Sequence, residues 1–145
     1  MLATTAFDQG QMPAITGILQ IPSLRAWGII RFLIDTGASN ILLQPHDGRN
    51  IKVPYGNISF TAGPQGIGAS QAGAYSASAE VTFTDGQYRY SYDVLVDILD
   101  PNTAKSLNPT LLGRSILHQW RIVYDHPNQI LDIEPTQPCR RTLGS

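Results

Sequence analysis

A chain of 145 residues is long enough for one domain with its own hydrophobic core and short for two. Charged residues make up 14% and hydrophobic residues 42%, with 13 glycines and 10 prolines, which excludes a highly charged disordered chain and favours a β-rich domain with many turns. Ten basic and eleven acidic residues give a net charge of -1, which disfavours a dedicated binder of nucleic acid or anionic membranes and better suits a peptide-like partner.

The N-terminal region lacks the pattern of a targeting signal. It has neither a basic region nor an apolar stretch, and no segment approaches the roughly 18 consecutive apolar residues of a membrane span. We therefore expect a cytoplasmic protein with no membrane segment in this chain, or a domain of a longer protein. Residues 1–14 are predicted to form an arm or edge strand, 15–134 the domain, and 135–145 a tail.

The first half of the domain is predicted to contain three strands. Apolar runs bounded by turn residues place them at 15–21, 28–34 and 41–43. Residues 44–48 contain Pro, Asp and Gly and are predicted to form a turn. Residues 56–79 are rich in Gly, Ala and Ser, which predicts a mobile loop or hairpin.

The second half is predicted to consist mainly of hairpins. Asp85-Gly86 supplies the positive φ angles of a tight turn between strands 80–84 and 87–92, and the apolar run continues at 94–99. A short strand follows at 110–112, and 115–120 is the only segment predicted to be helical. A second hairpin joins 121–124 to 129–133.

The C-terminal tail contains the single cysteine, Cys139, and the pair Arg140-Arg141. One cysteine cannot close an intrachain disulfide, which excludes a disulfide or zinc scaffold. The two arginines are predicted to be solvated. The three histidines, His46, His118 and His126, lack metal-ligand spacing and are predicted to lie at the surface or at a helix edge.

Asp35 is the candidate chemical group, because it follows an apolar strand and precedes Thr36-Gly37-Ala38. A carboxylate at the buried end of a strand is costly unless hydrogen-bond donors or a neighbouring acid's proton compensate it. Gly37 lets the backbone come close enough to donate to the carboxylate, and Thr36 offers a hydroxyl to a neighbouring backbone. The same residues could instead form an ordinary turn that closes the strand.

Three further segments follow this motif in a fixed order: Gly66-Ile67-Gly68-Ala69, Val94-Leu95-Val96 and Leu111-Leu112-Gly113-Arg114. Together they resemble the retropepsin-like, retroviral-type aspartic proteases over about residues 15–133, and the closing hairpin resembles stand-alone bacterial members. The resemblance implies an all-β, barrel-like fold with a flap hairpin and one short helix near the C-terminal end. It also implies an aspartic endopeptidase that cleaves extended peptides and needs no metal or organic cofactor.

The implied chemistry requires two carboxyl groups. One acid must be protonated to polarise the scissile carbonyl, while the other, ionised, takes a proton from the attacking water. Only Asp35 carries the motif, since Asp97, Asp100, Asp125 and Asp132 lack a following Thr-Gly or Ser-Gly. A homodimer would supply the second Asp35 by symmetry. The alternatives are a catalytically silent module that binds peptides or proteins, and a monomeric β-domain with a lone acid.

The resemblance also implies roles for the residues after Asp35. Thr36 would bond to the opposite subunit's loop, and Gly37 would offer backbone contacts to substrate. Ala38 occupies the position at which pepsin-like enzymes carry a serine hydroxyl that bonds the aspartate. Without that bond we expect activity at weakly acidic pH.

The remaining segments would complete the site. Gly66, Ile67, Gly68 and Ala69 would form the flap tip that closes over substrate. Leu112, Gly113 and Arg114 would pack behind the catalytic loop, with Arg114 in a buried hydrogen-bond network. In viral members this arginine pairs with an acid just after the motif, but Ser39 stands there in this chain, which leaves Asp97 or a backbone carbonyl as the candidate partner.

Overall fold

Ten strands and two short helices make up the described part of the chain. The computed structural model describes residues 2–4, 12–61, 73–104, 108–136 and 140–143. In chain order the elements are β1 (Ala3–Thr4), β2 (Ala14–Ile21), β3 (Ala26–Ile34), β4 (Ile41–Leu43), α1 (Pro45–Asn50), β5 (Ala74–Thr84), β6 (Tyr88–Leu99), β7 (Thr110–Leu112), α2 (Arg114–Leu117), β8 (Trp120–Asp125), β9 (Ile130–Pro135) and β10 (Arg140–Leu143). None of the helices in these residues is long and apolar enough to cross a membrane.

Six of the strands close into a barrel. They pair in the order β6-β4-β7-β3-β2-β5, and the long β5–β6 hairpin closes the ring. β10 continues the sheet beyond one edge of β6, and β1, β9 and β8 form a separate three-stranded sheet. The prediction of an all-β, barrel-like fold is therefore confirmed. β1 lies at one edge of the second sheet, beside β9.

Alternation along the strands fills the barrel with apolar side chains. In β2 every second residue from Ile15 to Ile21 is buried, the period expected of a strand with one face on a core. Aromatic rings occupy the centre: the indole of Trp120 packs 5.1 Å from the ring of Phe83 and donates a 2.9 Å hydrogen bond to the hydroxyl of Tyr92. Because the buried indole N–H is satisfied, Trp120 links the second sheet to the barrel without a polar penalty.

Helix α1 corrects the turn predicted for residues 44–48. Pro45 occupies the first helical turn and Asp47 follows it, both favourable at a helix N-terminus. Gly48 suggested a turn, but here it makes room for another side chain, because a Cβ at Gly48 would collide with the hydroxyl of Tyr55. Burial raises the pKa of Tyr55 to about 12.

Two other boundaries also differ from the predictions. The helix expected at 115–120 is α2, Arg114–Leu117, and Trp120 already begins β8. Strand β5 begins at Ala74, inside the segment predicted to be a loop or hairpin. Small residues at Ala74, Ala77 and Ala79 are buried in this strand, so low side-chain volume there reflects close packing.

Arg140 and Arg141 are both exposed, as expected of a solvated pair, but each also contacts the barrel. The guanidinium of Arg140 donates two hydrogen bonds to the carboxylate of Asp93, at 2.7 and 3.0 Å, and a third to Glu80. The bonds from Arg140 lower the pKa of Asp93. The guanidinium of Arg141 lies 4.6 Å from the centre of the Tyr88 ring. Both arginines therefore hold β10 against β6.

Candidate active site

Asp35 directly follows β3, at one end of the barrel, where β3 runs parallel to β7. β3 pairs with β7 in parallel, with Ile34 opposite Leu112. The Asp35 backbone N–H continues this ladder with a 3.1 Å hydrogen bond to the carbonyl of Leu112. The sheet thus fixes the backbone of Asp35, and the chain leaves the sheet only after this residue.

The loop after Asp35 folds back onto the carboxylate. The Gly37 N–H donates a 2.8 Å hydrogen bond to Asp35 Oδ1. The Ala38 N–H donates to the Asp35 carbonyl at 3.2 Å, which closes a turn. The predicted donation from Gly37 is confirmed, and the chain forms a turn here as well. Asp35 is half-buried and Thr36 is exposed, so the carboxylate faces an accessible surface beside the loop.

The segment Leu112-Gly113-Arg114 packs directly behind this loop. The Arg114 N–H donates to the Ala38 carbonyl at 2.9 Å, and the Ser115 N–H donates to the Ser39 carbonyl at the same distance. A Cβ added at Gly113 would lie 2.6 Å from the Ala38 oxygen and 2.5 Å from the Asn40 oxygen. Only glycine lets the start of α2 approach the loop this closely.

The side chain of Arg114 also forms hydrogen bonds with the loop. Its Nη1 donates a 2.8 Å hydrogen bond to the Thr36 carbonyl, and its Nη2 donates to Ser39 Oγ at 3.1 Å. Of the two candidate partners, the backbone carbonyl is therefore correct, since Asp97 instead accepts a hydrogen bond from Ser76. Ser39 replaces the expected acid as an acceptor. The bonds lie at the surface of the chain, so the expectation of a buried network is wrong for a single chain.

The flap residues Gly66, Ile67, Gly68 and Ala69, and also Cys139, lie outside the described residues. His46 approaches Asp47 on α1, with Nε2 3.3 Å from Oδ1. The described ranges contain no group of three or more His, Cys, Asp or Glu side chains arranged to hold a metal ion.

The chemistry available at this site is that of a carboxylate. Within the parts of the chain that the structure describes, no second acid forms a hydrogen bond with Asp35. A single positioned carboxyl group can accept or donate one proton, but it cannot supply both a protonated acid and an ionised base at once. The loop therefore presents one carboxyl group, which can accept or donate a single proton.

This architecture is the retropepsin-like fold. A retropepsin-like aspartic protease from Rickettsia conorii has a similar structure, with a TM-score of 0.59 and 16% sequence identity over 99% of this chain and 92% of that chain. EIAV protease, complexed with the inhibitor HBY-793, also matches, with a TM-score of 0.41 and 20% identity over 79% of this chain and 92% of that one. No protein-family model matches the sequence, and no curated protein matches it.

Proposed function

We propose that this protein is a homodimeric aspartic endopeptidase in which each chain contributes one Asp35. The observation that carries the proposal is the Asp35 loop, which β3, β7 and the start of α2 fix through backbone hydrogen bonds, with the Gly37 N–H on the carboxylate. Rigid placement of an accessible carboxyl group is what acid–base catalysis needs. The structural similarity to a protein described as an aspartic protease supports the same assignment.

The reaction would be hydrolysis of a peptide bond by water. Two carboxyl groups about 3 Å apart cannot readily both be ionised, so they share one proton. The ionised Asp35 takes a proton from water, and the water oxygen forms a bond to the scissile carbonyl carbon. The protonated Asp35 of the other subunit donates its proton to the carbonyl oxygen. Collapse of the resulting intermediate breaks the C–N bond, and the amine leaves with a proton from the pair.

The loop residues would support this chemistry from both sides. The Thr36 carbonyl accepts a hydrogen bond from Arg114. Thr36 itself is exposed, which leaves its hydroxyl accessible to the loop of the opposite subunit. Gly37 would offer backbone contacts to an extended peptide, as strand-like substrates require. Residues 66–69 would close over the substrate. Ala38 brings no hydroxyl to the carboxylate, which is the basis for expecting activity at weakly acidic pH.

The substitution Asp35→Asn tests the proposal. It keeps the shape of the side chain and its capacity to accept from Gly37 but removes the acid, so peptide cleavage should fall by at least about 10³-fold. Cleavage of a mixed peptide library should be followed from about pH 3 to about pH 8. Asp125→Asn, at the end of β8, is the matched control and should retain activity.

Folding and dimerisation must be measured on the same samples by circular dichroism and sedimentation. A dimeric wild-type protein that cleaves nothing across this pH range, or an Asp35→Asn variant that still cleaves, contradicts the proposal. A silent module that binds peptides would instead keep the same affinity in both proteins without any cleavage.

A further inference from the structure

Five side chains form a row across the outer face of the barrel wall. Directly paired residues of neighbouring strands present their side chains to one face, and the pairing gives the row Leu33, Leu111, Leu42, Asp97 and Ser76. Phe32 is fully buried in the core, so its neighbour Leu33 faces outward. Asp35 follows Leu33 by two positions, and its N–H still pairs with β7, so the same alternation places it on this face.

The wall between Asp35 and Asp97 is apolar. Leu42 and Leu99 are 6% and 3% exposed, and with Ala74 they form a hydrophobic cluster separate from the barrel core, against which Leu111 packs. Asp97 joins this wall at 9% exposure. A carboxyl group is therefore embedded in an apolar layer on the same side of the sheet as the candidate catalytic acid.

Among the residues that the structure describes, Asp97 has few partners for a buried acid. Ser76 Oγ donates one hydrogen bond of 2.6 Å to Asp97 Oδ1. The ion pairs formed among the described ranges involve other acids, namely Asp47, Glu80, Asp93 and Glu134. A carboxylate offers about four acceptor sites, so Ser76 uses only part of its capacity. Burying an ionised carboxylate without a cation is costly, and a cation that arrives with a ligand removes that cost.

We propose that Asp97 selects substrates that carry an arginine or lysine side chain near the cleaved bond, an inference that rests on the proposed peptidase function. The basic group would pair with Asp97, while its aliphatic stem would lie along Leu42 and Leu111. A substrate with a neutral side chain at that position would leave the acid unpaired in an apolar wall. Selection would therefore come both from the ion pair with a basic side chain and from the cost of leaving Asp97 unpaired beside a neutral one.

The separation of the two acids limits which substrate position is read. Three strand-to-strand steps of about 4.8 Å separate Leu33 from Asp97, about 14 Å in all. Asp35 lies two residues, about 7 Å, further along the chain from Leu33, so the two acids are about 16 Å apart. An extended peptide advances about 3.3 Å per residue, so three residues cover about 10 Å and a long basic side chain spans the rest. The selected residue is therefore expected within three positions of the cleaved bond.

The competing explanation is purely structural: Asp97 could serve only to bond Ser76 and tie β5 to β6. Two variants separate the explanations. Asp97→Asn keeps the shape and the capacity to accept from Ser76 but removes the charge. Ser76→Ala removes the hydrogen bond and keeps the charge. A structural role predicts similar effects of both on stability and none on substrate choice.

The experiment compares paired peptide pools that carry arginine or glutamine at each of the three positions on either side of the cleaved bond. At one position, kcat/KM for the arginine pool should exceed that for glutamine by at least about 10-fold in wild type and in Ser76→Ala. The ratio should fall close to one in Asp97→Asn. A wild-type ratio near one at every position, or a ratio unchanged in Asp97→Asn, overturns the proposal. Asp97→Ser repeats the measurement if Asp97→Asn does not fold.

Binding measurements keep this test separate from the peptidase proposal. In the Asp35→Asn protein, anisotropy titrations should show the same preference for arginine pools, lost when Asp97→Asn is added. If wild type cleaves nothing but this preference is present, the peptidase function fails and the Asp97 site stands. If cleavage occurs but neither cleavage nor binding prefers arginine, the peptidase stands and the Asp97 site fails.

Discussion

Gly113 determines how closely the chain can pack behind Asp35. A Cβ at this position would collide with the carbonyl oxygens of Ala38 and Asn40. Both oxygens belong to the backbone, which cannot rotate away as a side chain could. The neighbouring Arg114 N–H already bonds the Ala38 carbonyl, so the approach is fixed from two sides. At the scale of single residues, the loop after Asp35 can pack this closely only because residue 113 has no side chain.

Gly113→Ala should therefore destabilise the protein. The new Cβ would force the loop and α2 apart, at a cost of at least about 2 kcal/mol in the free energy of unfolding. Cleavage activity should fall at the same time, because the loop carries Asp35. Urea denaturation measures the first effect. Gly56→Ala is the control, since a Cβ there meets nothing within 4 Å and should change stability by less than about 1 kcal/mol. Equal stability of the two variants would contradict the role assigned to Gly113.

Single residues of this site were predictable to different degrees. Asp35 and the Gly37 donation follow from an apolar strand that runs into Asp-Thr-Gly, because a buried-end carboxylate needs a local donor. The partners of Arg114 did not follow, because they join positions 75 and 78 residues apart in sequence. Asp97 entered only as a candidate partner for Arg114, since its place in the apolar row depends on strand register.

The β5–β6 hairpin is the element that closes the barrel, and its turn is held by Asp85. Asp85 Oδ1 accepts the N–H groups of Tyr88 and Gln87, at 2.7 and 2.9 Å, and the hydroxyl of Tyr90 donates to Oδ2. The two backbone bonds are the main cause that lowers the pKa of Asp85 to about 2. Of the Asp85-Gly86 pair, only Gly86 has a positive φ, 91°, so Asp85 acts through its side chain.

Asp85→Ala should destabilise the protein in a pH-dependent way. Because the folded pKa lies below the ordinary value of 3.8, the charged group stabilises the fold above that value, and the contribution is lost as pH falls toward about 2. The urea midpoint of the variant should lie below that of wild type near neutral pH, and the gap should narrow below about pH 4. Gln87→Ala, in the same turn, should show no such narrowing. A gap that stays constant with pH would contradict this role.

At the scale of elements, local pattern predicted most strands but not α1. Alternation and apolar runs specify β2, β3 and the hairpins, because each buries one face over several residues. Helix α1 spans only Pro45–Asn50, fewer than two helical turns, so no repeat of apolar residues can reveal it. Its Gly48 indicates a turn unless one knows that the Tyr55 hydroxyl fills the space beside it. Whether residues 45–50 form a helix or a turn therefore depends on contacts with residues outside this segment.

For the whole molecule, closure of the barrel could be inferred only from the resemblance. Strand β4 lies between β6 and β7, and β7 lies between β4 and β3, pairings that connect segments far apart in the chain. Hydrophobic pattern indicates that a strand is buried but not which strand lies beside it. The same limit applies to the proposed second acid, since a symmetry-related Asp35 would leave no mark in one sequence.

Mixing experiments test whether the site is shared between chains. If each dimer needs two Asp35 groups, equal amounts of wild type and Asp35→Asn that exchange subunits freely leave about one quarter of the dimers fully wild type. Activity per total wild-type chain should then fall to about half, and total activity should follow the square of the wild-type fraction. Asp125→Asn added in place of Asp35→Asn should cause no loss. A linear dependence, with each wild-type chain keeping its full activity, would mean that one chain carries a complete site and would overturn the shared pair.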